Sequence, residues 1–266
     1  MDIIVCIKQI INPETPSALF RIDPLTRRAI PARDQALVIN DYDAVALESA
    51  IRIKEAVGAE VTVLSLGVPS TSAAIKHCLA MGADEGYLLS DPLFDEADLP
   101  TVAHVLAMAI KKIGKFDLIF CGRQEGDWDA GQVGLGIAEI LGIPSVNPVR
   151  KIEVKDGKAR VVRVVDDGYE VLEIPLPALI TASSGLGEPR YPNMKGIMRA
   201  ARMNVNIWTA EDIGIDASKL DPSAARVQML DLFIPVHEGK CEFVEGETPD
   251  EIGADLFLRL KKAKLV

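Results

Sequence analysis

The sequence predicts an α/β protein built on a parallel sheet, with an antiparallel addition in its second half. Three observations predict it. Short apolar runs without polar alternation recur at Ile3–Ile7, Glu60–Leu66, Gly86–Leu89 and Phe116–Cys121, as parallel strands covered on both faces require. Helix-period segments lie between them, the pattern of right-handed strand–helix–strand units. After Pro144 the texture changes to short runs broken by Asp-Gly, the signature of tight hairpins.

In order, the strand Asp2–Ile7 is followed by a connection to Asn40 of roughly thirty residues, longer than a compact domain needs for simple linkage. Within it, Phe20–Asp23 and Thr26–Ile30 can form a small hairpin. Asp43–Val57 carries an apolar face at helical spacing. A second helix, capped by Ser70 or Thr71, runs to about Met81 and stops at Gly82. A third spans Leu99–Ile113, with Pro100 in its first turn and Gly114 after it, and a fourth spans Ala130–Leu141. Val149–Val154, Ala159–Val165 and Tyr169–Ile174 read as hairpin strands turning at Asp156-Gly157 and Asp167-Gly168, and Leu179–Ala182 as a further strand. Ser183–Met203 is poorly periodic and reads as a loop. The tail offers a strand at Leu230–Val236 and a helix around Pro249–Ala263.

Composition narrows the function classes. The 266 residues carry a formal charge of -10, which repels phosphate backbones and anionic membrane surfaces. The four cysteines are far apart and form no metal-binding spacing. No apolar stretch is long enough to span a bilayer, and the chain opens directly on a strand. A soluble protein of a reducing compartment, the bacterial cytoplasm, is the expectation, without nucleic acid or direct membrane insertion. His77, His104 and His237 are scattered, and no nucleophile–base ordering is visible.

Three segments carry chemistry. The run Cys121–Gly134 follows a buried strand and opens a helix. Free N–H groups at such a point attract anions, so a nucleotide phosphate is the natural guest; a capped glycine-rich loop is the alternative. Gly126, Gly131 and Gly134 allow close backbone approach. Asn40-Asp41-Tyr42-Asp43 precedes the first long helix, where it either caps that helix or covers a ligand at the same sheet edge. Gly187–Arg199 places Met194, Ile197 and Met198 among cations, an adhesive surface if the methionines face outward.

These runs resemble the β subunit of electron-transferring flavoproteins. Met1–Gln9, DAVALESAIRIKE at 43–55, LAMGADEG at 79–86, the stretch 116–133 with CGRQ and GQV, and EPRYPNMKGIMRA at 188–200 match in order over nearly the whole chain. The resemblance implies a nucleotide-binding fold like that of the adenine nucleotide hydrolases, with a hairpin addition and a C-terminal arm. Residues 1–228 would form one domain that includes a recognition loop at 183–203. Residues 229–266 would be an arm packed on the partner.

It also implies a heterodimer with a larger α subunit that carries most of an FAD. The chain itself would bury an AMP, contacted at Cys6, Asn40, Asp41, Tyr42, Asp43 and Leu66. Further contacts would come from Gly122, Arg123, Gln124, Glu125, Gly126, Asp127, Trp128, Asp129, Ala130, Gly131, Gln132 and Val133. Tyr191, Met194, Ile197 and Met198 would dock a flavin dehydrogenase such as an acyl-CoA dehydrogenase, with Met194 as the anchor. Electrons would pass to a quinone oxidoreductase or another acceptor, making the chain a carrier subunit rather than an enzyme.

Some positions depart from the family pattern. Pro13 stands where an aromatic commonly meets the flavin, and Asp41 follows Asn40 where Pro is common. Asp127-Trp128-Asp129-Ala130 departs from the Asp-Gly-Asp-Thr of electron-bifurcating members, in which a second FAD replaces AMP. The bulk of Trp128 favours AMP. A stress-type ATP-binding protein of the same architecture is the competing class. An ATP pyrophosphatase is disfavoured, because Ile7-Lys8-Gln9-Ile10 stands where its Ser-Gly-Gly loop belongs.

Overall fold

A computed structural model describes residues 1–26, 28–31, 37–220, 223, 225–235, 239 and 241–266. β1 (Asp2–Ile7) enters the core at once, with every residue after Asp2 buried. The long connection that follows holds two small ribbons: β2 (Gln9–Ile10) pairs with β5 (Val38–Ile39), and β3 (Arg21–Ile22) with β4 (Ala29–Ile30). The second is the expected hairpin, apart from Arg27, which lies outside the described residues. Then come α1 (Asp41–Val57), β6 (Glu60–Leu66), α2 (Ser72–Met81), β7 (Glu85–Leu89), α3 (Leu99–Ile113), β8 (Leu118–Gly122) and α4 (Val133–Leu141). α3 has the expected bounds, because Asp98 caps it by accepting from Thr101 N–H and Gly114 ends it.

The second half adds β9 (Ser145–Lys155), β10 (Lys158–Val165), β11 (Gly168–Pro175), β12 (Ala178–Ala182), α5 (Met194–Arg202) and β13 (Asn206–Trp208). The main sheet runs β11-β10-β9-β12-β8-β1-β6-β7-β13. Its core pairs are parallel, and β9, β10 and β11 form the antiparallel addition. Successive residues of β1 serve opposite faces: Ile3 and Val5 pack with Leu47, Val63 and Phe120, whereas Ile4 packs with Leu64, Leu106 and Ile119. Both faces are buried, which is why the strands lack polar alternation.

Met1–Leu230 forms one compact unit and Asp231–Val266 another, the latter holding α6 (Pro249–Lys262), capped by the Thr248 side chain. Several details differ from the sequence expectation. α1 begins two residues early, at Asp41. The second hairpin turns at Asp166-Asp167, because Val165 pairs with Gly168. The expected strand from Leu230 is not formed over 230–235, where Pro235 has no N–H to donate and, among the described residues, no strand pairs with it; Val236 and His237 lie outside the described residues. Finally, α4 begins at Val133 rather than Ala130, for a reason found in the loop before it.

Candidate functional site

β8, β1 and β6 are neighbours in the sheet, so their C-terminal ends bring Gly122, Cys6 and Leu66 to one rim. Such a rim, outside the carboxyl ends of parallel strands, is where open α/β sheets place ligands. Cys6 and Cys121 are both nearly buried there. Hydrogen bonding between the two thiols, with burial, pushes Cys121 well above the usual thiol range. These sulfurs are packing groups, not nucleophiles.

The first turn of α1 supplies the second wall. Asn40 occupies the cap position but makes no side-chain cap. Its Nδ2 donates to Gln124 O at 2.9 Å and its Oδ1 accepts from Gly126 N–H at 3.0 Å. The capping alternative for Asn40 is therefore replaced by a long-range clasp. Asp43 accepts from Lys8 N–H and Gly122 N–H, each at 2.8 Å. Burial outweighs both bonds and, with the nearby charge of Glu125, raises the Asp43 carboxyl to about 7. Gly122 is obligatory in this packing, since a Cβ there would sit 2.4 Å from Asp43 Oδ1. Asp41 is exposed and Tyr42 half-buried on the outer side of the turn.

The loop 123–132 folds around its own carboxylate. Glu125 is buried, and its Oε2 accepts from Ala130 N–H at 3.1 Å and Gly131 N–H at 3.0 Å. Asp129 and Gly131 adopt positive φ values of 55° and 61°. These two facts end the expectation of a helix from Ala130: the amides that would start it are already bound, and the backbone turns the wrong way. The anion seat moves accordingly. The N–H groups of Val133, Gly134 and Leu135 find no protein acceptor among the described residues. They make up the open first turn of α4, where an anion is stabilised. The glycines of this run approach other parts of the chain: a Cβ at Gly131 would lie 2.8 Å from Arg123 O, and one at Gly134 3.1 Å from Cys121 Cβ.

Two cations stand at the rim. Arg123 stacks 5.3 Å from the Tyr42 ring centroid and donates from Nε to Gln124 Oε1 at 2.8 Å. Lys8, which the motif reading did not single out, pairs with Asp127 at 2.8 Å. Its place directly after β1 was the available signal. Gln124 Nε2 donates to Asp129, and Trp128 projects outward, 52% exposed. The donors at this rim, the free helix-terminal amides and the Arg123 guanidinium carried on the Tyr42 ring, have the chemistry that a phosphate accepts from. One atom is left over, Glu125 Oε1, buried with no hydrogen-bond partner.

Ser183–Met203, expected as a loop, contains α5. Asn193 caps it, accepting from Gly196 N–H at 2.8 Å. The apolar residues face outward: Tyr191 is 95%, Met194 71%, Ile197 49% and Met198 54% exposed. That inverted pattern hides the helix from a search for core-facing periodicity. The alternative that these methionines fill the protein's own core is thereby removed. On the other side, α5 lies so close to α2 that a Cβ on Gly196 would come 2.1 Å from Ala80 O. Arg199 donates to Leu79 O and Ala83 O at 2.7 and 2.9 Å, and Lys76 to Ala200 O at 2.8 Å.

Among the described residues no cluster of His, Cys, Asp and Glu has metal-binding geometry, and no described helix is long and apolar enough to cross a membrane. His77 is on the exposed side of α2, and the partial desolvation it does undergo lowers its pKa.

Comparison with known proteins gives a consistent answer. Residues 30–213 match the family model of the electron transfer flavoprotein domain. The chain is 41% identical to the caffeyl-CoA reductase-Etf complex subunit CarD of Acetobacterium woodii, over all of both chains. It is 42% identical to the electron transfer flavoprotein subunit beta of Thermoanaerobacterium thermosaccharolyticum, over 95% of each. It is 36% identical to Protein FixA of Azorhizobium caulinodans, over 98% of this chain and 96% of the other. The chain belongs to the electron transfer flavoprotein beta-subunit family.

Proposed function

We propose that this chain is the smaller subunit of a heterodimeric electron carrier, that it holds an adenine nucleotide at the rim described above, and that it presents α5 to a flavin dehydrogenase. The observation that carries the reading is the joined rim. Asn40 and Asp43 tie the loop after β8 to the end of β1, beside the unspent amides of Val133, Gly134 and Leu135. Those amides and Arg123 would hold phosphate, while Tyr42, Asp41 and the Gln124–Asp129 turn frame the nucleoside. Leu66 and Cys6 form the floor. The nucleotide is AMP in this reading, and it has no redox part to play. Its place is structural: it completes a rim whose loop is tied down by Glu125, Asn40 and the Lys8–Asp127 pair.

The FAD belongs mainly to the larger subunit and supplies the electron chemistry when bound; this chain contributes orientation, docking and exclusion of water. The exposed Tyr191, Met194, Ile197 and Met198 are the docking face, with Met194 as the apolar anchor. A compact anchor of this kind binds specifically and releases quickly, as a shuttle between dehydrogenases and a downstream quinone oxidoreductase or other acceptor requires. In this reading the subunit carries electrons within the cytoplasm and catalyses nothing alone. The unit 231–266 is the arm that packs on the larger subunit, presenting the exposed Phe243, Phe257 and Leu258.

A second reading is favoured by the full-length likeness to CarD, whose name places that protein in a reductase complex. There the rim would hold a second FAD, and the subunit would serve a bifurcating assembly. Release of bound nucleotide from the purified heterodimer by denaturation, followed by chromatography, separates the readings. AMP and FAD in equal amounts support the first, and two FAD per heterodimer the second.

A further inference from the structure

We propose that Arg190 is a positioning residue that pins the entrance of the docking helix α5 to α1, and that the orientation of Met194 depends on it; the inference rests on the docking reading above. The segment between β12 and α5 crosses α1; Leu186 packs against the core at its start, and beyond it the chain is held by charge. Arg190 Nε donates to Glu48 Oε2 at 2.8 Å, Nη2 to Glu48 Oε1 at 3.1 Å, and the Arg190 main-chain N–H to Glu48 Oε2 at 3.2 Å. The far edge of the same guanidinium donates to Glu55: Nη1 to Oε1 at 2.5 Å and Nη2 to Oε2 at 2.9 Å. Glu48 and Glu55 are seven residues apart and so share one face of α1. Two carboxylates of one helix thus clasp a single guanidinium.

A second arginine completes the clasp. Arg52 Nε donates to Glu48 Oε1 at 2.7 Å, and its terminal nitrogens reach Leu186 O at 3.4 Å and Glu188 O at 3.3 Å. Gly187 lies beneath it at a φ of 121°, a conformation that other residues rarely adopt. The Glu48 side chain is only 3% exposed. Burial opposes its ionisation, but hydrogen bonds from Arg190 and Arg52 outweigh it and hold the carboxyl below its usual range. A buried ion pair adds little net stability compared with apolar packing; what it fixes well is geometry.

That geometry matters because Met194 begins α5 four residues after Arg190. The body of α5 is fastened independently to α2 through Gly196, Arg199 and Lys76. Loss of the pin therefore frees Tyr191 and Met194 at the entrance without detaching the helix. A lysine cannot replace the arginine fully, because one ammonium cannot make the paired, forked contacts to both carboxylates.

The test uses the assembled heterodimer, with an acyl-CoA dehydrogenase that reduces the native complex as the probe. Arg190→Gln should leave nucleotide content, flavin content and kcat unchanged and raise the KM for the dehydrogenase about tenfold. Amide hydrogen exchange over 189–196 should quicken about tenfold, with exchange in α1 and α2 unaltered. Arg190→Lys should fall between native and Arg190→Gln. Glu55→Gln removes only the exposed arm of the clasp and should shift both readouts in the same direction by a smaller factor; it keeps the test open if Arg190→Gln does not fold. Native KM and native exchange in Arg190→Gln, or in Glu55→Gln if that is the variant that folds, would overturn the inference. Met194→Ala is the control: an unchanged KM there, with exchange still quickened in Arg190→Gln, would sink the docking reading and leave the pin standing.

Discussion

Asn40 and Gly126 lie 86 residues apart in sequence and are joined by a hydrogen bond of 3.0 Å from the Gly126 N–H to Asn40 Oδ1. The same side chain donates to Gln124 O at 2.9 Å, so one buried amide reads both sides of the loop after β8. Asn40→Ala would leave a donor and an acceptor of that loop unsatisfied. It should cost about 2–4 kcal/mol, seen as a lower urea midpoint at unchanged slope, with loss of bound nucleotide. A variant of native stability and full nucleotide content would show the clasp to be incidental.

Glu125 makes a second prediction. Its carboxylate occupies amides that a ligand phosphate would otherwise find. Glu125→Ala should loosen residues 125–132, seen as faster amide exchange there, and lower nucleotide retention through gel filtration. Glu125→Gln keeps an acceptor for Ala130 and Gly131 and should retain more nucleotide than the alanine variant. If both variants hold nucleotide at the native level, the loop does not depend on its internal carboxylate.

The Asp43 carboxyl gives a pH dependence whose sign is fixed. Burial raises it from 3.8 to about 7 in the folded chain, so the folded state binds more protons than the unfolded state between those values. Stability linked to Asp43 is therefore full below pH 4 and is lost as pH rises through 7. Asp43→Asn removes the titration. The stability of native protein relative to this variant should fall by up to about 1.4 kcal/mol per pH unit between pH 5 and 7, measured by denaturant unfolding of the chain. A flat difference would place the Asp43 carboxyl in the ordinary range.

The docking face is tested by Met194→Ala and Gly196→Ala. The first removes an exposed anchor, and electron transfer with the dehydrogenase should weaken about ten- to thirtyfold in KM while flavin content stays native. The second pushes a methyl group toward Ala80 O and should destabilise the chain by about 1–3 kcal/mol. Loss of flavin in the first variant, checked by absorbance, would contradict the docking role.

Much of the fold was legible in the sequence because its signals are local. β6 and α3 have their expected bounds, set by apolar runs, Asp98 and Gly114. The start of α4 was not legible, because the amides of Ala130 and Gly131 are taken by a side chain five and six residues back, a competition that propensity does not register. α5 was hidden because its apolar face meets no part of this chain's core. Most residues of the rim were named in advance, but the role of Asn40 was not: helix capping and long-range clasping look alike until Gln124 and Gly126 are placed beside it. Lys8 was missed for the same reason, its partner Asp127 being 119 positions away.

The central claim is that the rim built by Asn40, Asp43 and the loop after β8 holds an adenine nucleotide. Its most direct test is quantitation of nucleotides released from the purified heterodimer. The account predicts one AMP for each FAD. A complex that releases one FAD and no second adenine nucleotide would contradict it.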